Sequence, residues 1–163
     1  MGRRCDSFTD GVFWNGSIHW RGAWKRFNVD LGGIEEMPAL PGPPRDSGTW
    51  KCVSFGESNG HLHLIEEPLP TKLRIFEMES DYSGWFVKYN IDLDGLVAEF
   101  PAIVHRSPKP FAPDWYAFSV LGVVREENED ESLLLLSLLD EVVSCSFKDG
   151  YFDGASGVGA GGN

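Results

Sequence analysis

The chain has 163 residues, which as a prior corresponds to one domain. Hydrophobic residues at 42% and charged residues at 24% permit a packed core and exclude outright disorder. Acidic side chains outnumber basic ones by 25 to 14, and the net charge of −11 repels phosphate backbones and anionic lipid. A general nucleic-acid binder and a membrane-surface binder are both excluded on that ground. Aromatic residues reach 13%, and 19 Gly with 10 Pro supply many turns, a mixture that suits short strands better than long helices.

Residues 1–10 (MGRRCDSFTD) carry two arginines with no apolar segment behind them, so they read as a short N-terminal extension and not as a secretory signal. Asp6 stands where a myristoylation motif wants Ser or Thr. Leu133–Leu136, the longest apolar run, is far too short for a membrane span. Cys5, Cys52 and Cys145 are odd in number and widely spaced, which fits reduced thiols in a cytoplasmic or nuclear protein.

Strand signals then follow in chain order. Val12–Trp14 and Ser17–Trp20 flank Asn15-Gly16, a pair that tolerates the positive φ angles of a tight type I′ hairpin turn. Arg26–Asp30 and Ile34–Met37 pair around Leu31-Gly32-Gly33. Residues 38–50 are a Pro/Gly loop. Cys52–Glu57 and His61–Glu66 flank a second Asn59-Gly60 turn, and Leu73–Met78 and Trp85–Asp92 flank the polar loop Glu79–Gly84. Leu93, Leu96, Val97 and Phe100 have helical spacing, but Gly95 and Pro101 limit any helix in Leu93–Val104 to about two turns. Residues 105–115 form a second Pro-rich connection. Tyr116–Arg125 and Ser132–Leu139 are strands around the acidic tip Glu126–Glu131. Val142–Phe147 runs into Lys148-Asp149-Gly150, with Tyr151-Phe152 as a stub of a further strand and 153–163 as a disordered Gly-rich tail.

The pattern repeats. Asn15-Gly16-x-Ile18-His19 returns as Asn59-Gly60-x-Leu62-His63, 44 residues later. Repeats of roughly 40–50 residues with four strands each mark β-propeller blades. The expected fold is therefore all-β: a partial β-propeller over residues 11–152, of about three four-stranded antiparallel blades, the last one incomplete. Three blades cannot close a ring, so self-association through the unclosed end blades is expected, with Phe13, Trp20, Leu134 and Leu136 only partly shielded.

Three segments carry a resemblance to a known family: GVFWNGSIHW at 11–20, FGESNGHLHLI at 55–65 and FEMESDYSGWFVKY at 76–89. The strand Phe118–Arg125 and the Lys148-Asp149-Gly150 turn extend it. Together they resemble the plant F-box proteins with a C-terminal F-box-associated β-propeller. In that family a helical F-box docks on the Skp adaptor of a cullin ubiquitin ligase, and the associated domain recruits the protein to be ubiquitinated. The resemblance implies a non-catalytic interaction module of a Skp–cullin–F-box substrate receptor, with a protein partner. Residues 1–10 leave no room for an F-box, the first blades are missing and the tail replaces the final strand, so Skp adaptor binding is not expected. The alternatives are a truncated, nonfunctional product that folds poorly, and a sugar-binding or enzymatic propeller.

Catalytic chemistry finds no support. His61 and His63 share a strand face and form the only close pair of metal-ligand candidates, but no second cluster joins them; packing or hydrogen bonding along the strand is the simpler role. Gly157-x-Gly159-x-x-Gly162 matches a dinucleotide fingerprint without the helix that must follow it. No G-x-S-x-G elbow occurs, and no cofactor is expected. The acidic tip reads as a solvated hairpin end. Trp14, Trp20 and Trp85 fall in strand patterns and belong to the core. Trp24, Trp50 and Trp115 fall in connections and are the candidates for partner contacts.

Overall fold

The computed structural model describes residues 11–22, 24–43, 45, 51–105, 108, 115–148 and 152–154. The described residues form four antiparallel sheets. The first is a meander of β1 (Val12–Trp14), β2 (Ser17–Trp20), β3 (Lys25–Asn28) and β4 (Gly33–Glu36). The second contains β5 (Cys52–Ser58), β6 (His61–Leu69), β7 (Lys72–Met78) and β8 (Trp85–Asp92). After a short helix α1 (Asp94–Glu99) and a 3-10 turn (Pro101–Ile103), β9 (Val104–His105) and β10 (Trp115–Tyr116) form a two-stranded ribbon. The third four-stranded sheet contains β11 (Phe118–Val124), β12 (Leu133–Leu138), β13 (Glu141–Ser146) and β14 (Phe152–Gly154).

Both Asn-Gly turns take the geometry their sequence demands. Asn15 and Gly16 have φ of 50° and 71°, and Asn59 and Gly60 have 49° and 82°, so each pair closes the first hairpin of its sheet. The 44-residue repeat is thus a repeat of structure, with His19 on β2 and His63 on β6 at matching places.

Strand alternation decides how the sheets stack. On β6, Leu62 and Leu64 point to one side and Ile65 to the other, and all three are fully buried. The first side packs with Trp14, Met37, Leu40, Phe76, Met78 and Trp85 into a core between the first and second sheets. On the opposite side, Ile65, Leu73 and Ile75 join Val123, Leu134, Leu136, Leu138, Val143 and Cys145 in a core between the second and third sheets, with Leu93, Leu96 and Ile103 closing it. The second sheet is therefore covered on both faces. The first strands of the three sheets are neighbours, β5 touching both β1 and β11.

Two expectations are corrected. The stub read at Tyr151-Phe152 is a strand, Phe152–Gly154, paired with β13, so the last sheet has four strands and the tail begins later than 153. Leu134 and Leu136 are not partly shielded: their parity turns them toward the second sheet, where neither has any exposed surface, while Leu133 and Leu135 face the other way. Disorder of the residues beyond 154 lies outside the described residues. So do the N-terminal extension 1–10 and Cys5.

Candidate interaction surface

Two seams hold the turns at one end of the stack in place. In the seam between the first and second sheets, Trp14 Nε1 donates to the Gly60 carbonyl at 2.8 Å and Asn15 Nδ2 to the Ser80 carbonyl at 3.0 Å. The residues of one Asn-Gly turn region thus grip the turns of the next sheet. His19 lies fully buried beneath them, with Nδ1 3.2 Å from the Val12 carbonyl and Nε2 2.8 Å from the Tyr82 hydroxyl. A carbonyl only accepts, so Nδ1 carries the proton and Tyr82 donates to Nε2. Burial lowers the pKa of this ring, Arg26 adding to the effect against the opposing Val12 carbonyl. Burial thus favours the neutral ring, in which Nε2 is the acceptor for the Tyr82 hydroxyl. Arg26 pairs with Glu35 and lays its guanidinium 3.7 Å over the Tyr82 ring.

The seam between the second and third sheets is ionic. Glu77 and Arg125, 2% and 5% exposed, meet at 2.8 Å between Oε1 and Nε, a charge contact without hydrogen-bond alignment. Arg125 Nη1 also donates to the Tyr89 hydroxyl at 3.2 Å and to Ser132 Oγ at 3.3 Å. Its backbone N–H donates to Ser58 Oγ at 3.0 Å, tying the start of the acidic tip to the Asn59-Gly60 hairpin. His61 Nδ1 lies 3.2 Å from Glu77 Oε2, and His61 Nε2 lies 3.5 Å from Arg125 Nη2. His63 is buried with no hydrogen-bond partner at Nδ1. Its pKa is pushed down to about 4, chiefly by burial, with Glu57 opposing and Arg125 assisting. Gly56 sits opposite it on β5, and a Cβ there would come within 3.4 Å of the ring nitrogen.

Of the two histidines that sequence spacing paired as metal-ligand candidates, His61 contacts the Arg125 guanidinium and its Glu77 partner, while His63 lies buried across from Gly56. Among the described residues no three His, Cys, Asp or Glu side chains converge into a metal-binding group. Cys52 is half-buried and Cys145 buried. No helix among the described residues is long and apolar enough to cross a membrane.

The aromatic candidates for partner contact separate by position. Trp24 holds a φ of 49° on the turn between β2 and β3 and packs edge-on against Trp85, with ring centroids 6.3 Å apart. Trp85 Nε1 in turn donates to the Pro38 carbonyl at 2.7 Å. Part of the Trp24 ring is thereby committed to the seam. Trp50 lies outside the described residues. Trp115, at the start of the β10 ribbon strand, is 57% exposed and stacks on His105 with centroids 3.8 Å apart and planes 9° from parallel. It is a flat aromatic pad, fixed by a ring beneath it and open to solvent above.

Topology places that pad at the end of the stack opposite the Asn-Gly turns, where the inter-sheet connections run. The β6–β7 and β12–β13 turns reach the same end, and both bear exposed leucines, Leu69 at 63% and Leu139 at 64%. Leu139 holds a φ of 50°, a conformation unfavourable for a bulky residue. At the other end, the acidic tip is partly neutralised: Glu129 pairs with Lys88, and Asp130 lies 3.7 Å from Lys148. Glu126, Glu127 and Glu131 are exposed and form no ion pair among the described residues. Sequence reasoning missed the Glu77–Arg125 pair. The signal for it was parity, since Glu77 continues the inward series Leu73, Ile75 on β7, and Arg125 follows Val123 in the same way.

Comparison with known proteins returns one type of relative. The chain is 36% identical over 155 residues to an F-box protein of Arabidopsis thaliana, a match covering 89% of this chain and 36% of that protein. The chain thus spans about a third of the length of the curated relative it matches. No family model and no solved structure matches it.

Proposed function

We propose that this chain is a piece of a β-propeller-type, F-box-associated domain and acts as a non-catalytic protein-recognition module of a Skp–cullin–F-box ubiquitin ligase receptor. The similarity to the Arabidopsis F-box protein across 89% of the chain carries this reading. Three consecutive four-stranded meanders, with their first strands side by side and their faces stacked, are what propeller blades look like, and they support it. Target recognition is assigned to the connection end, where Trp115, Leu69 and Leu139 are presented on short ribbons and turns. The one α-helix among the described residues has six residues, so adaptor docking is not assigned to these sheets. The reading places the protein in the cytoplasm or nucleus, in keeping with cysteines that are odd in number and widely spaced along the sequence.

Proximity labelling in plant cells tests it, with wild type compared against Trp115→Ala. The reading expects a reproducible set of labelled proteins that the variant loses while its melting temperature stays unchanged. Identical label sets from the two proteins would remove the connection end as the recognition surface. In a pull-down with purified Skp adaptor at micromolar concentration, the expected result is no stoichiometric complex.

A further inference from the structure

Charge is unevenly placed along the stack. The Asn-Gly end holds Asp30 and Asp81 in its turns and five carboxylates between Glu126 and Glu131. Toward the connection end, Glu66 of β6 is 3% exposed and shares its strand face with Leu62 and Leu64, in the seam with the first sheet. Two guanidinium groups meet this one carboxylate. Arg45 takes both oxygens: Nε donates to Oε2 at 2.7 Å and Nη2 to Oε1 at 3.2 Å. Arg74, directly across on β7, donates from Nη1 to Oε1 at 3.1 Å. One carboxylate balances one guanidinium, so the trio carries a surplus positive charge. A third guanidinium, that of Arg21, places Nη1 3.5 Å from the carbonyl of Cys52, the residue paired with Glu66 on β5.

The surplus charge is presented to solvent. The Arg74 side chain is 39% exposed, and only its Nη1 bonds another described residue. Its neighbour on β8 is Asn90, which carries no charge. Among the described residues, Glu66 is the one carboxylate that pairs with Arg45 or Arg74. Arg45 is further held by a 3.1 Å bond from Nη1 to the Pro41 carbonyl and by the Phe76 ring, 5.6 Å from its guanidinium carbon. The cluster is thus fixed before a partner arrives, and ordering it costs little on binding.

We propose that this arginine patch receives an acidic segment of the partner protein, whose Asp or Glu carboxylates pair with the open edge of Arg74 and with Arg21. Guanidinium forks fit carboxylates, as Arg45 and Glu66 demonstrate. The acidic turns at the far end repel the same segment, so the field of the molecule directs its approach to the connection end. The patch lies where the first and second sheets already meet, so each group it uses is in position. This deepens the assignment of target recognition to the connection end and rests on it.

Fluorescence anisotropy of a labelled oligo-glutamate peptide, titrated with the purified full chain, tests the proposal. The wild type is expected to bind it, to release it as added salt screens the charges, and to ignore an oligo-glutamine peptide. Arg74→Gln should weaken binding about tenfold or more, with a thermal melt checking that the variant folds. Arg21→Gln, which leaves the buried Glu66 trio intact, should weaken it as well. Lys148→Gln, which removes a cation at the Asn-Gly end, should bind as wild type does. A wild type that does not bind oligo-glutamate overturns the proposal. So do Arg74→Gln and Arg21→Gln variants that bind as tightly as wild type, or an equal loss in Lys148→Gln. Peptide binding is read on the purified chain, so its failure leaves any loss of labelled proteins in Trp115→Ala standing.

Discussion

His19 and His63 stand three residues after the glycines of matching Asn-Gly turns, on matching strands, yet they meet different neighbours. His19 finds a hydroxyl and a carbonyl and has both ring nitrogens engaged within a seam of aromatic side chains. His63 lies in a seam organised by a buried ion pair and keeps one nitrogen without a hydrogen-bond partner. A repeated motif therefore fixes where a side chain goes, while the facing sheet decides what chemistry it meets. The second seam buries an ion pair, and the differences between the two are measurable.

Removing one member of the buried pair has the largest expected effect. Arg125→Met leaves Glu77 buried without its arginine, with His61 still beside it, at a cost of about 3–5 kcal/mol in urea unfolding. Adding Glu77→Leu to that variant should recover most of the loss, because the orphaned charge is then gone. Loss without recovery would place the contribution in the other hydrogen bonds of Arg125, to Tyr89 and Ser132.

Acid should act on the ionic seam next. The unfolded chain protonates His63 near the ordinary histidine value of about 6.5. The folded chain resists until about pH 4. The unfolded state thus binds the extra proton first as pH falls. Stability is complete above about pH 6.5 and declines through that window at up to about 1.4 kcal/mol per pH unit from this one ring. His19 is lowered in the same direction and adds to the decline. Equilibrium unfolding across the window should show a shallower slope for His63→Gln than for wild type.

The aromatic seam should respond less. Tyr82→Phe removes the donor to His19 Nε2 and leaves a buried acceptor unmatched, costing about 1–2 kcal/mol by denaturant titration. The smallest effect belongs to the shared turn: Gly60→Val places a β-branched residue at a φ of 82° and should cost about 1 kcal/mol or more in a thermal melt. An unchanged melting temperature would mean that the hairpin can rearrange its turn at no cost.

The hairpins were legible because their signals are local. Asn-Gly pairs between alternating apolar runs define the turn, the register and therefore the inward face, and β1, β2, β5 and β6 fall where that pattern puts them. The last strand was legible only as a stub at Tyr151-Phe152, since Phe152–Gly154 is held by pairing to β13 and its composition resembles the glycine-rich residues after it. Nor was the ribbon of β9 and β10, where two residues on each side pair across a proline-rich connection. Leu133–Leu136 offered four apolar residues in a row, and only the pairing to β11 and β13 chooses which two turn inward. The Trp115–His105 pad joins residues ten positions apart and depends on that same unforeseen ribbon.

The second sheet is a middle layer, covered by one aromatic and one ionic seam. Native-state amide hydrogen exchange, resolved by peptide, measures this directly. Amides of β6 and β7, flanked by Leu62, Leu64, Ile65, Leu73 and Ile75, should be the slowest to exchange in the chain, ahead of β3 and β4 at the edge of the first sheet. Exchange of β6 and β7 as fast as that of β3 and β4 would contradict the stacked arrangement.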